Sequence, residues 1–273
     1  MVVNVITRHA PTNYGSLLQA IATQRVIMNL GHECRIINYI PKCETGVRMA
    51  ITQLEQKTKW RRNPIKKAIY LMVAEPETLL MDRKFLAMRK KYLLMGPCCA
   101  TTGELKKLYA EKKDEVFLTG SDQVWGPIST GHYDPTYFLD FVPKSSRKLA
   151  FAASFGKAIF DEQTLKEYGV LLKKYDSLAV RENVAVELLK KMDISAKQVL
   201  DPTLLMDADA WSEYVKPMKK PEKYVLVYQI HANSDLDHYA VKFAEKAELP
   251  LLRVSPLLHQ AKRSGKFVYC PDI

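Results

Sequence analysis

Apolar and polar positions along the chain switch between two periods: short β-branched runs, and longer stretches in which apolar residues recur every three to four positions. That alternation predicts strands separated by helices. The first run, 2–7, reads as a strand that opens into a polar loop over 8–15. A helix over 17–30 follows, with Leu17, Leu18, Ile21 and Ala22 as its apolar face and Ser16 with Gln19 as a capping box. Gly31 suits the left-handed position that ends a helix, and a second strand is expected over 34–39.

The same alternation resumes further on. It predicts a helix over 103–113 with Thr101 and Glu104 as another capping box, then a strand over 116–118 running into Gly120. Apolar residues fill 137–141. Strands over 149–153, 177–180 and 198–200 are separated by helices over 161–174 and 183–191, and a short helix over 208–215 closes the set. Strands spaced by helices of this length indicate an α/β fold, with a mostly parallel sheet covered on both faces.

Residues 216–222 are charged and twice interrupted by proline, the composition of a linker. A fresh strand over 224–230, a helix over 234–247 and strands over 251–254 and 267–269 then open a second α/β unit. The expected organisation is an N-terminal domain over 1–215, a linker over 216–222 and a C-terminal domain over 223–273. A sheet of this kind usually needs well over a hundred residues, so the second domain reads as incomplete and the sequence as a fragment or the product of a truncated gene.

Composition adds a soluble globular chain: 47% of its residues are hydrophobic and 26% charged, enough apolar material for a real core. No apolar run is long enough for a membrane span, and the start lacks the basic region of a signal peptide, so a cytoplasmic location is expected. The five cysteines, Cys34, Cys43, Cys98, Cys99 and Cys270, show no metal-ligand or disulfide spacing and read as reduced thiols, mostly in the core. No metal site is expected.

A net charge of +11 calls for a negatively charged partner. Nucleic acid has no helix-turn-helix, zinc-finger or aromatic RNA-binding signature to support it. The charge concentrates in Lys57, Lys59, Arg61, Arg62, Lys66 and Lys67 around Trp60, continued by Arg83, Lys84, Arg89, Lys90 and Lys91. Interleaved with apolar residues, this segment could lie on an anionic membrane surface. The favoured reading is a pair of solvated helices with the apolar residues turned inward.

Candidate chemistry gathers at the carboxyl ends of the predicted strands, where open α/β sheets bind ligands. Gly120-Ser121-Asp122-Gln123-Val124-Trp125 follows the run Val116-Phe117-Leu118. The start of the first helix offers free amides to an anion, although no dinucleotide fingerprint is present.

Five segments in order, Asn13-Tyr14-Gly15-Ser16-Leu17-Leu18-Gln19-Ala20, the Gly120 to Trp125 hexapeptide, Ala152-Ala153-Ser154-Phe155-Gly156, Val180-Arg181-Glu182 and Leu200-Asp201-Pro202-Thr203-Leu204-Leu205, resemble the polysaccharide pyruvyl transferase family. The resemblance implies two Rossmann-like domains arranged as in the B-type glycosyltransferases. It also implies transfer of a pyruvyl group from phosphoenolpyruvate, as substrate and with no cofactor, to a sugar of a surface polysaccharide or its precursor, at the cytoplasmic face of the membrane.

On that resemblance Arg181, with Glu182 beside it, is the candidate donor clamp, its rival role being an ion pair with Glu182 or another acid. Asp122 is the candidate base, its rival role a turn lock or helix cap. Asn13, Tyr14, Ser16, Ser121 and Gln123 are candidate ligands of sugar or phosphate. His9 joins them from the same loop as Arg8, against the reading of an exposed loop histidine. Asp201-Pro202 is expected to fix a turn. Family members carry a later Ser-Phe-His-Gly-like segment, and Tyr269-Cys270-Pro271-Asp272 resembles the stretch before it. The expectation is therefore little or no pyruvyl transfer by this chain alone, which robust turnover would refute. A nucleotide-sugar glycosyltransferase and a catalytically dead sugar-binding module are the competing readings.

Overall fold

The computed structural model describes residues 1–44, 51, 63–157, 159–229, 233–255 and 257–272. Two sheets organise them, both parallel throughout. The larger has six strands: β1 (Val2–Ile6), β2 (Glu33–Ile36), β3 (Val116–Thr119), β4 (Arg147–Ala153), β5 (Ser177–Val180) and β6 (Lys197–Gln198), in the order β2-β1-β3-β4-β5-β6. The smaller runs β7 (Val225–Tyr228), β8 (Leu251–Ser255), β9 (Lys266–Tyr269) in sequence order. The α/β expectation holds.

Strand alternation sends side chains to two apolar layers. Val3, Val5, Val116, Leu118, Leu149 and Phe151 pack on one face against α1 (Tyr14–Asn29) and the long α2 (Pro64–Tyr92). Ile6, Phe117, Ala150 and Leu178 pack on the other, against α3 (Thr102–Tyr109), α4 (Glu162–Leu172) and α5 (Asn183–Lys190). A short α6 (Ala208–Ser212) brings Trp211 to the first face, and α7 (Ser234–Lys246) lies between β7 and β8. The apolar stretch over 137–141 is entered through a 3-10 turn, Pro135–Phe138, and its Tyr137 and Phe138 are buried.

The order reverses between β1 and β3, the kind of position at which open α/β sheets place ligands, at the carboxyl ends of their strands. Leucine 17 and Ile21 fix α1 over β1 with no exposure at all. Gly31 has φ +79, the left-handed geometry expected of it. The predicted capping box at Ser16 and Gln19 does not form. Asn13 is the N-cap, its side chain accepting from the Gly15 amide at 2.7 Å, so Ser16 and Gln19 sit inside the helix and spend their polar atoms elsewhere.

The basic segment also departs from expectation. Its first part, with Lys57, Lys59, Trp60, Arg61 and Arg62, lies outside the described residues. In α2 Phe85 and Met88 turn inward, but Ile65, Ile69, Met72, Leu79, Leu80 and Leu86 are exposed, and among the described residues the contacts with the apolar layer lie along the C-terminal turns. Arg89, expected in solvent, is buried, and its guanidinium donates to the Ala10 carbonyl. Cys34, Cys99 and Cys270 are buried; Cys98 is exposed, and all five thiols are free.

Candidate functional site

Thr7 closes β1 and begins the site. Its hydroxyl donates to the Ser121 carbonyl at 2.6 Å and accepts from Gln19 Nε2 at 2.9 Å, which stitches the loops after β1 and β3 to α1. Ser16, one turn earlier on the helix than Gln19, donates to Asp122 Oδ2 at 2.7 Å, and the Gln123 amide donates to Asp122 Oδ1 at 2.7 Å. The backbone at Asp122 has φ 89, a conformation that most residues with a Cβ avoid. A short carboxylate that binds neighbouring donors tolerates it better than most, and strain of this kind gathers at functional sites.

Two further loops complete the arrangement. Ser121 Oγ donates to Asp201 Oδ2 at 2.8 Å, and Arg181 Nη1, just beyond β5, donates to the same oxygen at 2.9 Å. Arg181 Nε pairs with Glu182 at 2.9 Å. The other Asp201 oxygen accepts from the Thr203 amide at 3.0 Å and its hydroxyl at 2.7 Å, which caps the 3-10 turn Pro202–Leu205. Burial opposes a charge on Asp201, yet the bonds from Thr203, Ser121 and Arg181 outweigh it and hold the carboxyl below its usual range. At Arg181 burial acts against the guanidinium and the two acids prevail, so its pKa lies above the ordinary value.

Between the loops after β4 and β5 lies a cavity of about 270 Å³, lined in part by Gln123, Ser154, Gly156, Lys157, Arg181 and Glu182. It suits a small acid or a monosaccharide. Glycine is required at 156: φ is +68, and a Cβ there would stand 2.7 Å from the Gln123 side chain. The cavity thus presents two cations, one carboxylate and several hydrogen-bonding groups, the mixture that grips an anion and orients hydroxyls.

Of the residues singled out by sequence, Ser16, Ser121, Asp122, Gln123, Arg181 and Glu182 converge here. Arg181 is not a free clamp: the ion pair weighed as its rival role is present, and about 29% of its side chain remains exposed toward the cavity. Asn13 serves the helix as its cap. Tyr14 turns away to the smaller sheet: its hydroxyl donates to the Pro271 carbonyl and its ring meets Phe85 and Tyr228 at 5.1 and 6.1 Å. Burial, with Cys270 and acidic neighbours, raises its pKa far above the usual value and keeps it a neutral phenol.

His9 lies neither in solvent nor in the cavity. It is buried, not exposed, with Nδ1 3.2 Å from the Thr7 carbonyl and Nε2 3.2 Å from Asn38 Oδ1. Burial lowers its pKa against those hydrogen bonds, and Arg89 adds to the lowering. Both ring nitrogens face acceptors, and a neutral ring carries one N–H, so it donates to only one of them, depending on the tautomer. It supports the loop rather than touching the cavity.

Thr7, Gln19, Lys157 and the second role of Asp201 escaped sequence reasoning. Asp201 did carry a signal, an acid before proline, but a turn explained it. Among the described residues no group of three or more His, Cys, Asp or Glu could hold a metal ion. A family model described as polysaccharide pyruvyl transferase matches residues 13–267. No curated protein matches the chain.

Proposed function

Since the chain belongs to the polysaccharide pyruvyl transferase family, we propose that it moves a pyruvyl group from phosphoenolpyruvate to two hydroxyls of a sugar in a surface polysaccharide or its precursor. The observation that carries this reading is a cavity that holds Arg181 and Lys157, with the Asp122 carboxylate bonded to the amide of its lining residue Gln123. Two cations suit the carboxylate and phosphate of the donor. Protonation of the donor's methylene carbon makes its central carbon electrophilic; one sugar hydroxyl attacks there, phosphate leaves with its bonding pair, and a second hydroxyl closes the ketal, the two hydroxyl protons balancing the one added to the methylene carbon and the one phosphate takes up.

Asp122 accepts the proton of the attacking hydroxyl in this scheme. Each of its oxygens keeps a free lone pair beside the bonds from Ser16 and Gln123, and Ser16 fixes its direction. Asp201 fixes Arg181. Ser121 and Gln123 are read as acceptor ligands. We read the two parallel sheets as Rossmann-like domains, 1–215 and 223–273, in the arrangement of the B-type glycosyltransferases, with the carboxyl ends meeting at Tyr14. Phosphoenolpyruvate is a cytoplasmic metabolite, so the reading puts the enzyme in the cytoplasm, with no cofactor beyond its substrates.

Calorimetric titration of the purified protein with phosphoenolpyruvate tests it. Binding is expected, and Arg181→Gln should weaken it by about tenfold or more, the worth of a hydrogen bond to a charged group. No binding, or equal binding by the variant, would overturn the donor assignment. A heat signal from a uridine or guanosine diphosphate sugar in its place would support a glycosyltransferase.

A further inference from the structure

Among the described residues, the long helix α2 is held from one side. Phe85, Met88 and Arg89 anchor its last turns, Lys84 stands 4.7 Å from the Tyr269 ring, and the Glu77 carboxylate takes the Leu258 amide. On the outer side, Ile65, Ile69, Met72, Leu79 and Leu86 follow one another at intervals of three, four and seven residues. At 100° per residue they form one stripe along the helix. Exposure of 71%, 56% and 73% at Ile65, Ile69 and Met72 is large for three apolar side chains on consecutive turns.

Arg83 and Lys90 fall on the same stripe toward its C-terminal end, and both are exposed. Over its length the helix has seven basic residues against three acidic. The acids with a described side-chain position, Glu77 and Asp82, are partly buried, so the outer residues with a described side-chain position are apolar or basic. No helix here is long and apolar enough to cross a membrane. Pro76 lies on the stripe and cannot donate to the Met72 carbonyl. An exposed apolar stripe with cations on it can lie in the plane of an interface, apolar residues down and cations among the headgroups.

We infer that the outer face of α2 docks the protein on an anionic lipid surface, with Ile65, Ile69, Met72, Leu79 and Leu86 entering the headgroup boundary and Arg83 and Lys90 meeting lipid phosphates. The inference is independent of the reaction assigned above. Flotation of the whole protein with phosphatidylcholine vesicles, with and without phosphatidylglycerol, tests it. Binding should require the anionic lipid and weaken as salt is raised. Arg83→Gln and Lys90→Gln should each lower partitioning by about fivefold, and the exposed pair Ile69→Ser with Met72→Ser should reduce it further while the circular dichroism spectrum stays unchanged. No flotation, flotation on neutral vesicles alone, or equal flotation of all variants would overturn it. So would a dimer in ultracentrifugation that the serine pair dissociates, which would make the stripe a contact between two copies.

Discussion

At His9 two opposing effects have a clear winner. Two hydrogen bonds favour the charged ring, but complete burial and the nearby Arg89 keep the pKa below 6.5. Above that value both folded and unfolded chains hold a neutral imidazole. Below it the unfolded chain takes a proton that the folded chain refuses, so stability is lost as pH falls. The urea midpoint of the protein should therefore drop between about pH 7 and about pH 5, and His9→Gln should show a shallower drop over the same range. Equal slopes for the two proteins would remove His9 from the account. Sequence could not foretell this, because the loop around His9 is polar and its burial comes from Asn38 and Arg89, distant in the chain.

Elements were legible where their signals are local. Thr101 and Glu104 do cap α3: Thr101 Oγ1 accepts from the Glu104 amide at 3.2 Å, and Glu104 accepts from the Ala100 amide at 2.7 Å. Ser16 and Gln19 have the same spacing and failed as a cap because tertiary partners, Asp122 and Thr7, claimed their polar atoms. The true start of α1 depends on Asn13. Asn13→Ala should cost about 1 kcal/mol in chemical denaturation, whereas no loss would return the cap to Ser16. In α2 the sequence showed an apolar and basic mixture without saying which apolar residues met the sheet; only the packing of Phe85 and Met88 decides that.

The whole molecule depends on contacts that periodicity does not encode. Alternating runs announce strands but not their order, in which β1 pairs with both β2 and β3. The meeting of the two sheets was equally hidden. Tyr14, marked by sequence as a ligand, is a joint between them through Pro271 and Tyr228. Tyr14→Ala should destabilise by roughly 2 kcal/mol, less than a fully buried ring because the side chain is half-buried. Amides of β9 should then exchange faster while those of β1 and β3 keep their protection; unchanged exchange in β9 would show that the joint lies elsewhere. The central position of β1 also has a consequence for biosynthesis. Val3 pairs with Val116, so at ribosomal speeds the first strand waits on the order of ten seconds for its second neighbour to be made. During that interval its open edge invites mispairing, and a nascent chain of this design gains from a chaperone that shields it until β3 emerges.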